Sequence, residues 1–314
     1  MNMEIRENIN ASSGVYYTVK KHLVSKQTPY QKAQMVETAA YGKALLLDGR
    51  TQVTERWEYR YHEPLVHPLM LIHPSPKRAL LIGGGDGGSL REMLRYKSLE
   101  SVDFVELDPD VVAFSKKYFP SIHRNAFIDP RVCFHYEDGR AFVERAGEEL
   151  QSTAESARGY DVIIMDMTDP MGPANALYTV EFFSAIKKLF RDRDSCFSMH
   201  GESPVAWPEA VACIGATLSA AFTNVSIAAC FVPMYGSLWS FRYASDSAVP
   251  QLSDSGILEK RQVERLEEPL IIVNKAMWPA LFAKDPVIAE AESHPLRRVI
   301  SDSDPVFPGA FSAV

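Results

Sequence analysis

Cysteine is scarce in this chain of 314 residues: Cys133, Cys196, Cys213 and Cys230 lie too far apart for a CxxC pair or a zinc knuckle. That argues against a disulfide or cysteine–metal scaffold. It suits a reducing, cytoplasmic setting in which all four behave as buried small hydrophobes. A basic stripe is lacking as well. With 33 Lys+Arg against 40 Asp+Glu the formal charge is −7, so nucleic acid is not an expected partner and cationic ligands are. The opening MNMEIRENIN carries charges and no apolar core, so no secretory signal is expected. Charge itself is missing from Ala210 to Phe241, a run long enough to span a bilayer. Thr223-Asn224, Pro233 and Tyr235-Gly236-Ser237 interrupt it, and its period changes from helix over 208–222 to strand over 225–232. A soluble chain with no membrane partner is expected.

What is present is ordinary globular composition, 46% hydrophobic and 23% charged, which argues against wholesale disorder. The first sixty residues favour strands at 15–19, 34–38 and 44–47, punctuated by Gly42-Lys43 and Asp48-Gly49. A helix is predicted from Trp57 to Met70, ended by Pro74-Ser75-Pro76. From Arg78 onward strands and helices alternate, which predicts a mainly parallel sheet with helices on both faces. Strands are expected at 79–83, 101–108, 131–136, 160–166, 195–200, 225–232 and 238–244, the last two as a hairpin. Residues 147–159 are polar and read as a surface insertion, and the chain beyond Asp285 as a loosely held tail.

The sharpest motif is Gly83-Gly84-Gly85-Asp86-Gly87-Gly88, in which Gly83, Gly85 and Gly88 fit GxGxxG between a strand and a helix. Glu106, 21 residues after Gly85 and at the end of the next strand, is placed to accept from ribose hydroxyls. Asp86 is the anomaly. A carboxylate inside the turn opposes a pyrophosphate, so NAD or FAD is disfavoured and a nucleoside carrying a positive group, such as a sulfonium, is favoured. Asp138, in Glu137-Asp138-Gly139, reads first as a helix N-cap, a role that can coexist with accepting from an adenine amine. Asp166 and Asp169, in Asp166-Met167-Thr168-Asp169-Pro170, follow an apolar strand and form a rigid acidic loop suited to binding or deprotonating an amine. With Asp86 they would make a local negative well. No metal-ligand spacing is evident.

In order along the chain, LLLDGRTQVTERWEYRYHE, GGGDGG, VELDPDVV, EDG and DMTDPMGPA resemble the spermidine synthase family of polyamine aminopropyltransferases, over about residues 15–245. The resemblance implies an α/β, Rossmann-like methyltransferase-type fold behind a small N-terminal β domain. The domains would be 1–62 and 63–314, in a homodimer or homotetramer. It implies that Gln31 and Glu106 hold the nucleoside ribose, Asp138 and Gly139 the adenine, and that Pro173 covers it. Asp86 and His62 would lie near the aminopropyl group. Asp166 would be catalytic, Asp169 would bind the acceptor, and Tyr61 and Tyr235 would line the amine channel.

The reaction implied moves the aminopropyl group of decarboxylated S-adenosylmethionine, a co-substrate rather than a resident cofactor, to putrescine. Spermidine and 5′-methylthioadenosine result. Methyl transfer is disfavoured because Asp86 opposes the carboxylate of S-adenosylmethionine. Three positions depart from the family pattern: Met167 beside the catalytic Asp, His200 where Gln is common, and the Pro233–Trp239 loop, one residue short and of thermospermine-synthase length. His200 is expected on the same crevice as Asp166, where its charge would steepen the loss of acceptor affinity below about pH 7.

Overall fold

The computed structural model describes residues 3–9, 13–152 and 159–309. The N-terminal region is a five-stranded antiparallel sheet in chain order: β1 (Met3–Asn8), β2 (Gly14–Gln27), β3 (Lys32–Thr38), β4 (Gly42–Leu47) and β5 (Arg50–Thr54). β1 is not signalled by its own composition; its polar residues gain strand form by pairing, from Met3 opposite Val19 to Asn8 opposite Gly14. Leu47 pairs with Arg50 across Asp48-Gly49, both at positive φ (48° and 83°), the tight hairpin that Asp-Gly favours. One face buries Met35, Leu45 and Val53 against Val111, Phe119 and Ile122 of the following region. That contact brings β4, β5 and their turn over the second sheet.

Next comes α1 (Tyr59–Ile72), almost wholly buried despite Pro64 and Pro68 inside it. Residue 62, the expected domain border, lies within this helix, and the first sheet ends at Thr54. The alternation then runs β6 (Arg78–Gly83), α2 (Gly88–Leu94), β7 (Ser101–Val105), α3 (Pro109–Tyr118), α4 (Pro120–His123), β8 (Val132–His135), α5 (Gly139–Ser152), β9 (Val162–Asp166), α6 (Val180–Lys188) and β10 (Cys196–His200). It closes with α7 (Pro208–Ala221), β11 (Asn224–Val232) and β12 (Ser237–Ser245). The seven strands order as β11-β12-β10-β9-β6-β7-β8, with β10, β9, β6, β7 and β8 parallel and β12 antiparallel to both its neighbours. The carboxyl ends of five parallel strands therefore open on one edge, the edge where such sheets bind ligands. No helix among the described residues is long and apolar enough to cross a membrane. The uncharged run is instead α7, β11 and most of β12.

Three expectations need correction. Cys133 is exposed, because β8 is an edge strand, whereas the other three cysteines are buried. The polar stretch after Ala146 begins as helix, since α5 continues to Ser152; residues 153–158 lie outside those described. The segment beyond Asp285 is packed rather than loose. After α8 (Ser255–Arg265) and α9 (Trp278–Leu281), α10 (Pro286–Glu292) buries Ile288 and Ala291, and its Glu292 pairs with the buried Arg242 at 2.8 Å. Further on, Ile300 exchanges backbone contacts with Val180 and Thr217, and Asp302 receives Arg140 and Thr179. Polar composition hid this anchoring because a few apolar residues, Ile300 and Phe307 among them, supply the burial. Phe307, 1% exposed, meets Tyr178 edge-on at 6.0 Å. Phe307→Ala should therefore cost about 3–5 kcal/mol in denaturant unfolding; a change below about 0.5 kcal/mol is what a loose tail would give.

Candidate active site

A cavity of about 490 Å³ lies between the N-terminal sheet and the carboxyl ends of the parallel strands. That is room for a nucleoside and a short amine. The β6–α2 turn forms its floor. Gly83 adopts φ +78°, and a Cβ there would fall 2.2 Å from the Asp166 carbonyl oxygen, so only glycine lets β6 and β9 end side by side. At Gly88 a Cβ would enter the His62 ring, at 2.2 Å, so this glycine sets the approach of α2 to α1. Gly85 lines the cavity beside Glu106.

On one side the cavity presents Gln31, Glu106, Asp138, Gly139 and Pro173. Gln31 donates to Asp108 at 3.2 Å, while Glu106 accepts from the Asp108 N–H at 2.9 Å. Burial pushes the Glu106 carboxyl up to about 7; the Asp108 N–H opposes this, and the charges of Asp108 and Asp166 add to it. Asp138 accepts from the Ala141 N–H at 2.9 Å, so it does cap α5, and it also lines the cavity.

The centre is a chain of charges. Asp166, at the end of β9, accepts from Tyr61 at 2.9 Å through one oxygen and from Ser89 at 2.7 Å through the other. Burial raises its carboxyl to about 6, helped by the nearby charge of Asp86 and resisted by His62, Ser89 and Tyr61. Asp86 in turn accepts from the Gly88 N–H at 2.6 Å and faces His62 Nε2 at 3.4 Å. His62 Nδ1 meets Glu58 at 2.5 Å. Burial opposes charge on this imidazole, yet Asp86 and Glu58 on either side outweigh it and hold the pKa at about 10. His62 is thus a cation behind Asp86 and is not among the residues lining the cavity. The negative well expected from Asp86, Asp166 and Asp169 is partly filled from behind.

Beyond Asp166 the wall is made by Asp169, His200, Tyr235, Trp239 and, from the N-terminal sheet, Glu7 and Arg50. Tyr61 and Tyr235 meet edge-on at 6.0 Å, and Tyr235 donates to the Gln52 carbonyl at 2.8 Å. His200 is at the cavity with one ring nitrogen engaged, while its Nδ1 has no hydrogen-bond partner among the described residues and lies 3.5 Å from Glu202. Nε2 lies 2.8 Å from the Tyr178 hydroxyl, which itself donates to the Thr168 carbonyl at 2.8 Å, and the ring stacks on Trp239 at 5.9 Å. Burial pushes its pKa down, outweighing Asp169. Burial thus works against the expected charge-driven steepening below pH 7, because it disfavours the imidazolium.

Comparison with known proteins agrees with this geometry. Residues 58–253 match the spermine/spermidine synthase domain and residues 3–55 the spermidine synthase tetramerisation domain. A polyamine aminopropyltransferase of Nitrosomonas europaea is 37% identical over 244 residues, 78% of this chain and 72% of that one. One from Sulfolobus acidocaldarius is 33% identical over 92% of this chain and 93% of that one. A spermidine synthase crystallised with the transition-state analogue AdoDATO superimposes with a TM-score of 0.83 at 28% identity, covering 92% of this chain and 94% of that one. The chain belongs to the spermine/spermidine synthase family.

Several site residues escaped sequence reasoning, Glu7, Arg50 and Trp239 on the cavity wall and Ser89 and Glu202 behind it. Ser89 directly follows the glycine run, but nothing in the sequence ties it to a carboxylate 77 positions away. Glu202 sits at φ +68°, wholly buried with neither carboxyl oxygen hydrogen-bonded, and grouped with Asp169 and His200. Burial first and Asp169 second push its carboxyl far up, so its charged form is disfavoured. The signal available was a carboxylate two residues past a strand end with no cation nearby in sequence. Linear spacing showed no metal-ligand pattern, yet the fold also gathers Asp103, Cys133 and His135 at the β7–β8 edge. There Asp103 already receives His135, Arg78 and Tyr160.

An Asp166 carboxyl at about 6 rather than 3.8 binds extra protons in the folded state between those values. Stability therefore falls as pH rises through that window. Asp166→Asn should raise the melting temperature at pH 7.5 by about 2–4 °C, the gain vanishing near pH 4. Calorimetry at both pH values checks this; no gain at pH 7.5 would mean Asp166 bears no burial cost.

Proposed function

We propose that this protein, an aminopropyltransferase by family, moves the aminopropyl group of decarboxylated S-adenosylmethionine to putrescine, releasing spermidine and 5′-methylthioadenosine. The observation that carries the reading is the Asp166 carboxylate, poised near pH 6 and bound by Tyr61 and Ser89 within a strand-end cavity. An alkylamine, with a pKa like that of lysine at ~10.4, must lose a proton before it can attack. Asp166 orients one amine and accepts that proton. The amine's lone pair bonds to the carbon next to the sulfonium, that C–S bond breaks, and sulfur keeps the electron pair. Asp86, backed by the His62 cation, attracts the donor's terminal ammonium while opposing a carboxylate at the same place.

Gln31, Glu106, Asp138 and Pro173 form the part of the cavity assigned to the nucleoside, and Asp169 the part assigned to the second ammonium of the acceptor. The match to a tetramerisation domain supports a homo-oligomer, and the absence of CxxC pairs supports work in the reducing cytoplasm.

With decarboxylated donor and putrescine the protein should release methylthioadenosine. Asp166→Asn should lower kcat at least about 100-fold while retaining methylthioadenosine affinity. Because the base must be ionised, kcat/KM should fall as pH drops through about 6, the value to which burial raises Asp166. His200→Gln should leave that acidic limb in place, since burial disfavours charge on the imidazole. A limb that moves with His200→Gln and ignores Asp166 would assign the titration to the wrong residue here.

A further inference from the structure

Among the described residues, Arg50 is the one arginine or lysine that lines the cavity. It opens β5 directly after the Asp48-Gly49 turn, lines the cavity, and places a guanidinium nitrogen 3.8 Å from Asp169. Its charge also acts on Glu7 and Glu202, whereas the charges acting on Asp166 come from Asp86 and His62. Arg50 therefore belongs to the Asp169 end of the cavity and not to the reacting end.

We propose that Arg50 sets the length of the acceptor, by placing a permanent cation where the third ammonium of a triamine would have to sit. The inference rests on the aminopropyl-transfer reading and adds the residue that restricts its acceptor to a diamine.

The argument is a local charge balance. Asp169 is matched by Arg50 across a 3.8 Å gap with both side chains about 30% exposed, so the pair is loose enough to admit one ammonium beside the carboxylate. Two more carboxyls stand nearby, but burial drives both toward the protonated form. Glu7 accepts the Thr51 N–H at 3.0 Å with its charge disfavoured by desolvation, and Glu202 is wholly buried. A diamine with its reacting nitrogen at Asp166 needs one anionic partner at this end, and Asp169 supplies it. A triamine needs two, and instead of the second it meets a guanidinium, which carries a fixed charge on a planar five-donor fork. Like charges a few ångströms apart in a half-buried site repel strongly.

The test compares wild type, Arg50→Gln and Arg50→Lys. Calorimetric titration with putrescine and with spermidine, in the presence of methylthioadenosine, reads amine affinity without needing turnover. Methylthioadenosine release with each amine is measured in parallel. Arg50→Gln should raise the spermidine-to-putrescine affinity ratio at least about tenfold, whereas Arg50→Lys, which keeps the charge, should stay within about twofold of wild type. An unchanged ratio in Arg50→Gln overturns the proposal. So does an equal loss for both amines in both variants, which would make Arg50 only a brace for the Asp169 loop. Absence of methylthioadenosine release from the wild type would defeat the aminopropyl-transfer reading, while the affinity ratio would still decide the role of Arg50.

Discussion

Asp86 and Asp166 repel one another across a cavity wall largely removed from bulk water, and much of the surrounding structure answers that repulsion. The two carboxylates approach because β6 and β9 are neighbours in the parallel sheet, with Gly83 paired to Asp166. Left alone, one of them would take up a proton. The fold instead supplies a cation behind Asp86, the His62 imidazolium held by Glu58, and two hydroxyl donors on Asp166. Asp86 is thereby held below the usual carboxylate range, while burial first and the charge of Asp86 second raise Asp166 to about 6. Two neighbouring carboxyls are thus driven apart in acidity by burial and by the cation that stands behind only one of them.

The counter-charge continues well away from the cavity. Arg91 bridges Glu58 to Glu92 with both of its terminal nitrogens, and Glu92 receives His67, whose other ring nitrogen meets the Tyr96 hydroxyl at 2.9 Å. Every member of this chain lies in or beside α1 and α2. Buried ion pairs of this kind contribute little net stability against a well-packed apolar core, because desolvation offsets their attraction. Their effect here is geometric: they fix the helix that carries Tyr61 and His62 against the helix that carries Ser89. Glu92 keeps His67, Arg91 and Arg95 as partners and Arg91 also holds Glu58, so the network constrains the distance between Tyr61, Ser89 and Asp166 from several sides.

The alternation of strands and helices, the glycine turn and the acidic strand ends were legible in sequence because each rests on local chemistry. Hydrophobic period gave β6 to β10, and the resemblance named the residues now found around one cavity. What stayed hidden depends on distant partners. Ser89 acquires meaning from a carboxylate on another strand, and His62 changes from a cavity residue to a buried counter-ion because Glu58 and Asp86 flank it. The fate of His200 was undecidable from sequence for a similar reason. Neighbouring carboxylates and burial push an imidazole in opposite directions, and the Tyr178 and Trp239 contacts that bury the ring come from separate elements. The C-terminal segment was misread because overall polarity says nothing about where Ile300 and Phe307 dock.

The same reasoning separates the two ends of the cavity. At the end proposed for the nucleoside, polar groups have partners that orient them, as Gln31 has in Asp108 and Asp138 in the first turn of α5. At the acceptor end the decisive quantity is a sum of charges, not a set of paired contacts. Asp169, Arg50, Glu7 and Glu202 arrive from four separate segments, and two of the three carboxyls are pushed toward neutrality by burial. Replacing Arg50 or Asp169, the two members that pair across 3.8 Å, would change that sum by a whole unit.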